Sequence, residues 1–450
     1  MRNALISIIL SLSLFGAAFG ASAEVKSVTL KEAVEAGLKD NPGLRAFRNS
    51  VYAEKENIGS ATSALLPKIT FEERFMRTTN PTFAFSSKLN QERFAQTDFA
   101  IQNLNNPAAI NDYQTSISVE QPLYVRKANV GLRMAEGEYS ASLVDLARKK
   151  EEVAFNIVKT YLMVSTAREF VDVAEKGVED AKEHLRLATL RYDSRLGLYS
   201  DVLRASTGLT ASEQKLVSAD KDLNVAMRAL GLLMGTTEPV ASAEAPEHFV
   251  LKDMDYYNNS SLARSDIRSM EKRYENARNN IDLARADYFP LLGVGGSYQM
   301  NDHSAPFGTE GDSWTVSAFL RWNIFDGTLR KYETSKANYK AAEAREYLEG
   351  LKKSVSFRVY SAYLGAVEAQ KNLELAEKAL KTAEEGARLV KLRYENSLSP
   401  MVDLMDAQLT LDNARAGYAA RKNDSLAAIA NLYYESGTIF DDLDIKAPVD

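Results

Sequence analysis

Along residues 164–192 the apolar positions recur every seven residues as Val164, Val171, Val178, Leu185 and Tyr192, with Ala167, Ala174, Ala181 and Ala188 three places behind them. Two apolar positions per heptad form a seam on one helix face, and that seam has to be covered by other helices. One of the two positions is alanine throughout, so backbones can approach closely, which suits many helices packed side by side. The pattern returns 202 positions further on (Tyr192 to Tyr394) as Ala366, Leu373, Leu380, Ala387 and Tyr394, with Ala369, Ala376, Ala383 and Val390 behind. The chain is a tandem duplication.

Taken in order, residues 29–63 predict helix, with Thr29 and Glu32 spaced as a capping box and Asn41-Pro42 as a break. After Pro67 the period changes to two: Ile69, Phe71 and Phe75 share one face, and Lys68, Thr70, Glu72 and Arg74 the other, with Glu73 interrupting the apolar side. Residues 77–112 are rich in Asn, Thr and Gln and predict a long exposed loop. Tyr113, Thr115, Ile117 and Val119 then alternate with Gln114, Ser116, Ser118 and Glu120, so the two segments pair as a hairpin. Residues 127–196 lack proline, and about 70 residues of helix would be about 105 Å long. A bilayer core is about 30 Å thick, so a helix this long and polar on its outer face must project into water. Gly197 is expected to break it, and Val202, Leu209, Leu216, Leu223 and Leu230 carry a return helix.

The second repeat follows the same plan. Leu292, Val294, Gly296, Tyr298 and Met300 form one strand face; Trp314, Val316, Ala318, Leu320, Trp322 and Ile324 alternate with Ser313, Thr315, Ser317, Phe319, Arg321 and Asn323. Asp326-Gly327 turns into another long helix, and the return helix is expected to start with Ser399 as N-cap and Pro400 at its first position. The implied organisation is a signal peptide over 1–23, a first repeat over 24–235 (strand hairpin 68–124, helical hairpin 127–234) and an irregular connector over 236–259. A second repeat over 260–437 (strand hairpin 291–325, helical hairpin 327–436) and a loosely ordered tail over 438–450 complete it. The fold class is mixed α and β: long α-helical hairpins plus strands of an oligomeric transmembrane β-barrel.

Composition narrows this further. Arg2, the apolar run to Phe19 and Ala21-Ser22-Ala23 have the form of an export signal with a small-residue cleavage site, placing the mature start at Glu24. No later apolar run reaches about 18 residues, so a membrane would have to be crossed by strands. The chain has no cysteine, which excludes disulfides and acylated anchoring. A net charge of −6 without a basic stripe argues against nucleic acid as a partner. His184, His248 and His303 are scattered in the sequence, His184 as a solvated helix residue, so neither a metal site nor a cofactor nor an enzyme active site is expected.

Two hairpins give four strands, whereas the smallest membrane barrels close with about eight and an open sheet edge cannot lie in lipid. Closure must come from other copies. Two copies give eight strands; three give twelve, whose greater diameter leaves room for an aqueous lumen lined by Glu72, Arg74, Glu120 and Arg321, with Trp314 and Trp322 in the aromatic girdles facing lipid. Asp403 and Asp406, three apart on one helix face, would form a ring of carboxylates that attracts cations where the helices turn.

Leu65-Leu66-Pro67 and Tyr288-Phe289-Pro290 before the first strands, and Gln121-Pro122-Leu123-Tyr124 and Asn323-Ile324-Phe325-Asp326-Gly327 after the second, together with the doubled order of elements, resemble the TolC-type outer-membrane efflux proteins. Arg191-Tyr192 with Gly197, Asp201 and Leu203, and Arg393-Tyr394 with Asp403 and Asp406, are similar to that family's periplasmic tip. The resemblance implies a homotrimeric barrel in the outer membrane continued by a helical tunnel through the periplasm. It also implies docking to a periplasmic adaptor (membrane fusion) protein and an inner-membrane pump, with passive efflux or type I secretion and no catalysis. It assigns Asp403 and Asp406 to the entrance, and Asp201 and Tyr394 to links that hold the entrance closed. Ser399 stands where some relatives carry an arginine of those links, and Arg195 is the candidate to replace it. The competing class is a pore-less periplasmic coiled-coil adaptor or structural protein.

Overall fold

A computed structural model describes residues 25–244 and 248–446; the expected export signal at residues 1–23 lies outside the described residues. The chain divides into two compact units. One comprises Met1–Ala46, Arg148–Arg264 and Ser354–Asp450, and the other comprises Phe47–Ala147 and Ser265–Lys353.

In the first unit, strand β1 (Lys26–Val28) pairs in parallel with β4 (Val240–Ser242), and helix α1 (Leu30–Asp40) follows β1. The capping box at Thr29 forms: the Glu32 amide donates to Thr29 Oγ1 at 3.3 Å and the Thr29 amide to Glu32 Oε2 at 2.8 Å. Ala33, Val34 and Leu38 of α1 are buried, and a side chain at Gly37 would meet Ile157. Asn41 ends α1, and α2 (Pro42–Ser63) starts at Pro42 as the sequence predicts. The long helices are α5 (Arg126–Asp193) with its return α6 (Tyr199–Leu233), and α9 (Leu329–Glu395) with its return α10 (Met401–Ser436).

The segment expected to be an irregular connector contains β4 and α7 (Met254–Ser261), whose Tyr257 is fully buried. The reason is local bonding: Tyr161 Oη donates to the carbonyls of Val28 and Glu244, and Tyr433 Oη to that of Val250, fastening this stretch to the long helices. Residues 438–446 are ordered as well, against the expectation of a loose tail. They form α11 (Ile439–Asp442), bury Ile439 and Ile445, and seat Asp442 against Lys252 Nζ at 2.5 Å.

The second unit holds a four-stranded antiparallel sheet in the order β2 (Lys68–Thr78), β3 (Ile110–Tyr124), β5 (Leu291–Asp302), β6 (Gly311–Arg321). The loop predicted between β2 and β3 is instead compact, with helices α3 (Pro81–Asn90) and α4 (Ile101–Asn105). Polar groups build it: buried Asp112 accepts from Ser87 Oγ, Gln91 Nε2 and Asn301 Nδ2, so side chains with no apolar period still fix a fold. Helix α8 (Ser265–Ala286) precedes β5, and its Arg273 reaches Asp145 of α5 at 2.6 Å. Among the described residues no helix is long and apolar enough to cross a membrane.

Candidate functional site

Strand register decides what the sheet can do, because neighbours across a ladder share a face. Ile69 faces Val119, Phe71 faces Ile117 and Phe75 faces Tyr113; Ile117 in turn faces Tyr298, and Tyr298 faces Trp314. All eight of these side chains but Tyr113 are more than a third exposed. The result is one apolar surface across four strands, and its opposite is polar: Lys68 faces Glu120, Glu72 faces Ser116, and Arg74 bonds Gln114. Glu72, Arg74, Glu120 and Arg321 are all exposed on that side.

The carboxylate that broke the alternation is accounted for. Glu73, on the apolar side, accepts from Thr115 Oγ1 at 2.5 Å and from the Phe307 amide. Trp314 and Trp322 stand eight residues apart, about 26 Å along a strand, comparable with the apolar band of a membrane barrel. Trp322 lies just past the end of β6 and donates from Nε1 to the Tyr288 carbonyl at 3.1 Å.

The second region is the pair of turns joining the long helices. In the first, the Arg195 amide donates to the Tyr192 carbonyl at 2.9 Å and the Leu196 amide to the Arg191 carbonyl at 2.8 Å. In the second, Ser397 donates to Tyr394 at 3.0 Å and Leu398 to Arg393 at 2.7 Å. This double bonding is a Schellman turn, with Arg195 and Ser397 in the left-handed region at φ 60° and 62°. Gly197, expected to break the helix, is not the left-handed residue. It lets the chain pass the helix end, since a Cβ there would lie 3.0 Å from Arg191 Cβ.

Beneath the turns Ala188, Ala205, Tyr394, Met401 and Leu404 form a buried cluster, flanked by Leu185, Val202 and Val390. Arg191 clamps it. Its Nη1 donates to the Tyr394 carbonyl at 2.6 Å while the guanidinium lies 4.6 Å from the centre of the Tyr394 ring. Burial raises the Tyr394 hydroxyl pKa; Arg191 opposes the shift and nearby Asp201 adds to it. Arg195, the candidate stand-in for a missing arginine, is exposed and forms no hydrogen bond to another side chain among the described residues. The clamp is Arg191, one residue before a seam position, and its recurrence as Arg393 was the available signal.

Asp201 and Asp403 occupy equivalent places in the first turns of α6 and α10, where the helix dipole favours a carboxylate. Asp403 and Asp406 are both exposed on α10. Pro400, with φ −73° and ψ 164°, takes the cap position expected of Ser399; the Ser399 hydroxyl is buried and has no partner among the described residues. His184 also departs from expectation: it is 7 % exposed, wedged between α5 and α10. His303 is joined by Asp302 and Glu310, their ligand atoms lying within 4.8 Å. Asp302 Oδ1 already caps the turn at Ser304 and Ala305, and His303 Nδ1 lies 2.6 Å from Glu310, so the group fastens the β5–β6 loop.

The family profile described as "Outer membrane efflux protein" matches residues 33–236 and 257–438. The chain is 23% identical over 453 residues to the outer membrane protein TolC of Vibrio cholerae, covering 95% of each chain. It is 20% identical over 347 residues to the alkaline protease secretion protein AprF of Pseudomonas aeruginosa, covering 75% of this chain and 72% of that one. Its fold is similar to that of a membrane protein from Pseudomonas aeruginosa, with a TM-score of 0.76, 18% identity, and 92% and 91% of the two chains covered.

Proposed function

The chain belongs to the outer membrane efflux protein family and is an outer-membrane channel of tripartite efflux or type I secretion; from this premise we propose that three copies close one barrel and one helical tunnel. The observation that carries the proposal is the four-stranded sheet, apolar over one face and polar over the other, with β2 and β6 as edges unpaired among the described residues. Open edges are not tolerated in lipid, so β6 of one copy pairs with β2 of the next. Glu72, Arg74, Glu120 and Arg321 then face the lumen, and Trp314 and Trp322 sit at the two lipid interfaces.

Beside the turns that join the long helices, Asp403 and Asp406 of three copies ring the entrance and draw in cations. Asp201 with Tyr394, held by Arg191, keeps it narrow. A periplasmic adaptor and an inner-membrane pump engage the helical part and supply the energy; the channel itself catalyses no reaction. The repeats set out above act as two equivalent staves of this wall per copy.

The oligomer is tested by electrophoresis in detergent: an unheated sample should migrate as a compact species that heating converts to the single chain. A salt-soluble monomer would end the proposal. The entrance is tested in planar bilayers, where Asp403→Ala with Asp406→Ala should relieve block by multivalent cations. Unchanged block would remove those residues from the gate.

A further inference from the structure

Between α5 and α10, beside the turn cluster, runs a chain of polar side chains centred on Gln408. Its amide nitrogen donates to Asp180 Oδ2 and to Asp412 Oδ1, each at 2.9 Å. Arg415 closes the far side by donating to Asp180 Oδ2 at 3.1 Å. Carboxylates only accept, so both amide hydrogens are committed, and the Gln408 oxygen, 3.3 Å from His184 Nε2, must be the acceptor there. The ring therefore carries its proton on Nε2. Nδ1 is left as a bare acceptor, buried and without a hydrogen-bond partner among the described residues.

This pocket fits the neutral ring alone. A proton on Nδ1 would place a charged donor where nothing accepts it, a cost avoided only if the helices part enough to admit water. The charged groups facing the ring are Asp180 and Glu183 of α5, which favour the cation, and Lys391 of α9, which opposes it. Those facing Asp412 are Lys215 of α6, Arg415 of α10 and Asp180. We propose that this seam is a proton-released latch: protonation of His184 in mildly acidic surroundings loosens α5 from α10 within two turns of Asp406.

The sign follows from burial, which holds the His184 pKa below its ordinary value despite Gln408 and Asp180. The closed seam thus has its full strength above the ordinary imidazole value of about 6.5 and loses it as pH falls below that. Asp412 acts oppositely: burial raises its pKa, so its ionised form strains the seam at neutral pH and its protonation relieves that strain. Loosening therefore belongs to the histidine window.

The latch is tested by hydrogen exchange on the full-length protein in detergent, following amides of residues 176–190 and 404–418 and correcting for intrinsic rates. Between pH 7.5 and 5.5 protection in both segments should fall severalfold, up to the roughly tenfold limit set by an opened ring that titrates at about 6.5. His184→Gln, whose amide can still donate to Gln408, should keep neutral-pH protection and abolish the fall. Asp412→Asn should raise neutral-pH protection and leave the fall in place. An undiminished fall in His184→Gln overturns the proposal. If that variant is unprotected at every pH, NMR titration of the wild-type ring decides: a midpoint at or above about 6.5 overturns the latch, and a lower one supports it. The clause that loosening also widens the entrance rests on the gate reading above. Acid-induced exchange without any change in single-channel conductance would count against the gate alone.

Discussion

Four long helices of this chain end in the same backbone turn, and two of the four are glycine turns. α6 closes at Gly235 and α10 at Gly437, each left-handed, with Thr236 donating to Gly231 and Thr438 to Tyr433 in the same double-bonded pattern. α5 and α9 close at Arg195 and Ser397 instead. The difference lies in what surrounds the turn. A Cβ at Gly235 would lie 2.4 Å from the Asp40 carbonyl oxygen, and one at Gly437 2.9 Å from Arg264 Cγ, whereas Arg195 and Ser397 are exposed. Where the turn is packed, both backbone angle and space demand glycine. At the exposed end only the angle matters, and a non-glycine residue tolerates it at about 1–2 kcal/mol.

The largest expected effect tests the packed side. Gly235→Ala combines the left-handed penalty with overpacking against Asp40 and should destabilise by about 3 kcal/mol, read from the thermal unfolding midpoint in detergent. A near-neutral result would mean the packed turn is not constrained. Next comes the asymmetry between the two exposed turns. Arg191→Ala removes a charged hydrogen bond and a ring contact and should cost about 2 kcal/mol, whereas Arg393→Ala, whose guanidinium reaches only the Leu398 carbonyl at 3.5 Å, should stay within about 0.5 kcal/mol. Equal losses would show that the duplication kept one clamp in each turn.

Opposite signs are expected at one further equivalent pair. Ser399→Ala deletes a buried hydroxyl that has no partner and should stabilise by about 1 kcal/mol, while Gly197→Ala crowds Arg191 and should destabilise slightly; the same unfolding assay separates them. Smallest of all, Arg195→Gly and Ser397→Gly should each stabilise by less than about 1 kcal/mol and by the same amount, because the two backbones are alike. Unequal gains would indicate that one exposed turn is packed after all.

Elements governed by periodicity were legible in the sequence: the heptad seams, the four alternating strands and their faces, and the Asn41-Pro42 break. What escaped was fixed by contacts between residues far apart in sequence. Nothing near Asp112 announces that Ser87, Gln91 and Asn301 converge on it, and nothing near His184 announces Gln408, 224 positions away. At the turns the residue types were correct but the roles moved. The left-handed place fell to Arg195 rather than Gly197, and the clamp to Arg191 rather than Arg195, because the Schellman bonds are counted back from the last helical carbonyls. The duplication could have warned of this, since Arg191 and Arg393 recur and Arg195 does not.

The bare edges of β2 and β6 have a genetic consequence. In the three-copy barrel proposed above, a subunit that inserts only when both its neighbours are sound makes every assembly hostage to its worst member, so the intact fraction falls with the cube of the share of good copies. A proline placed in an edge strand should then be dominant in a cell that also makes the normal protein, even though the same lesion in a self-sufficient barrel would pass as recessive.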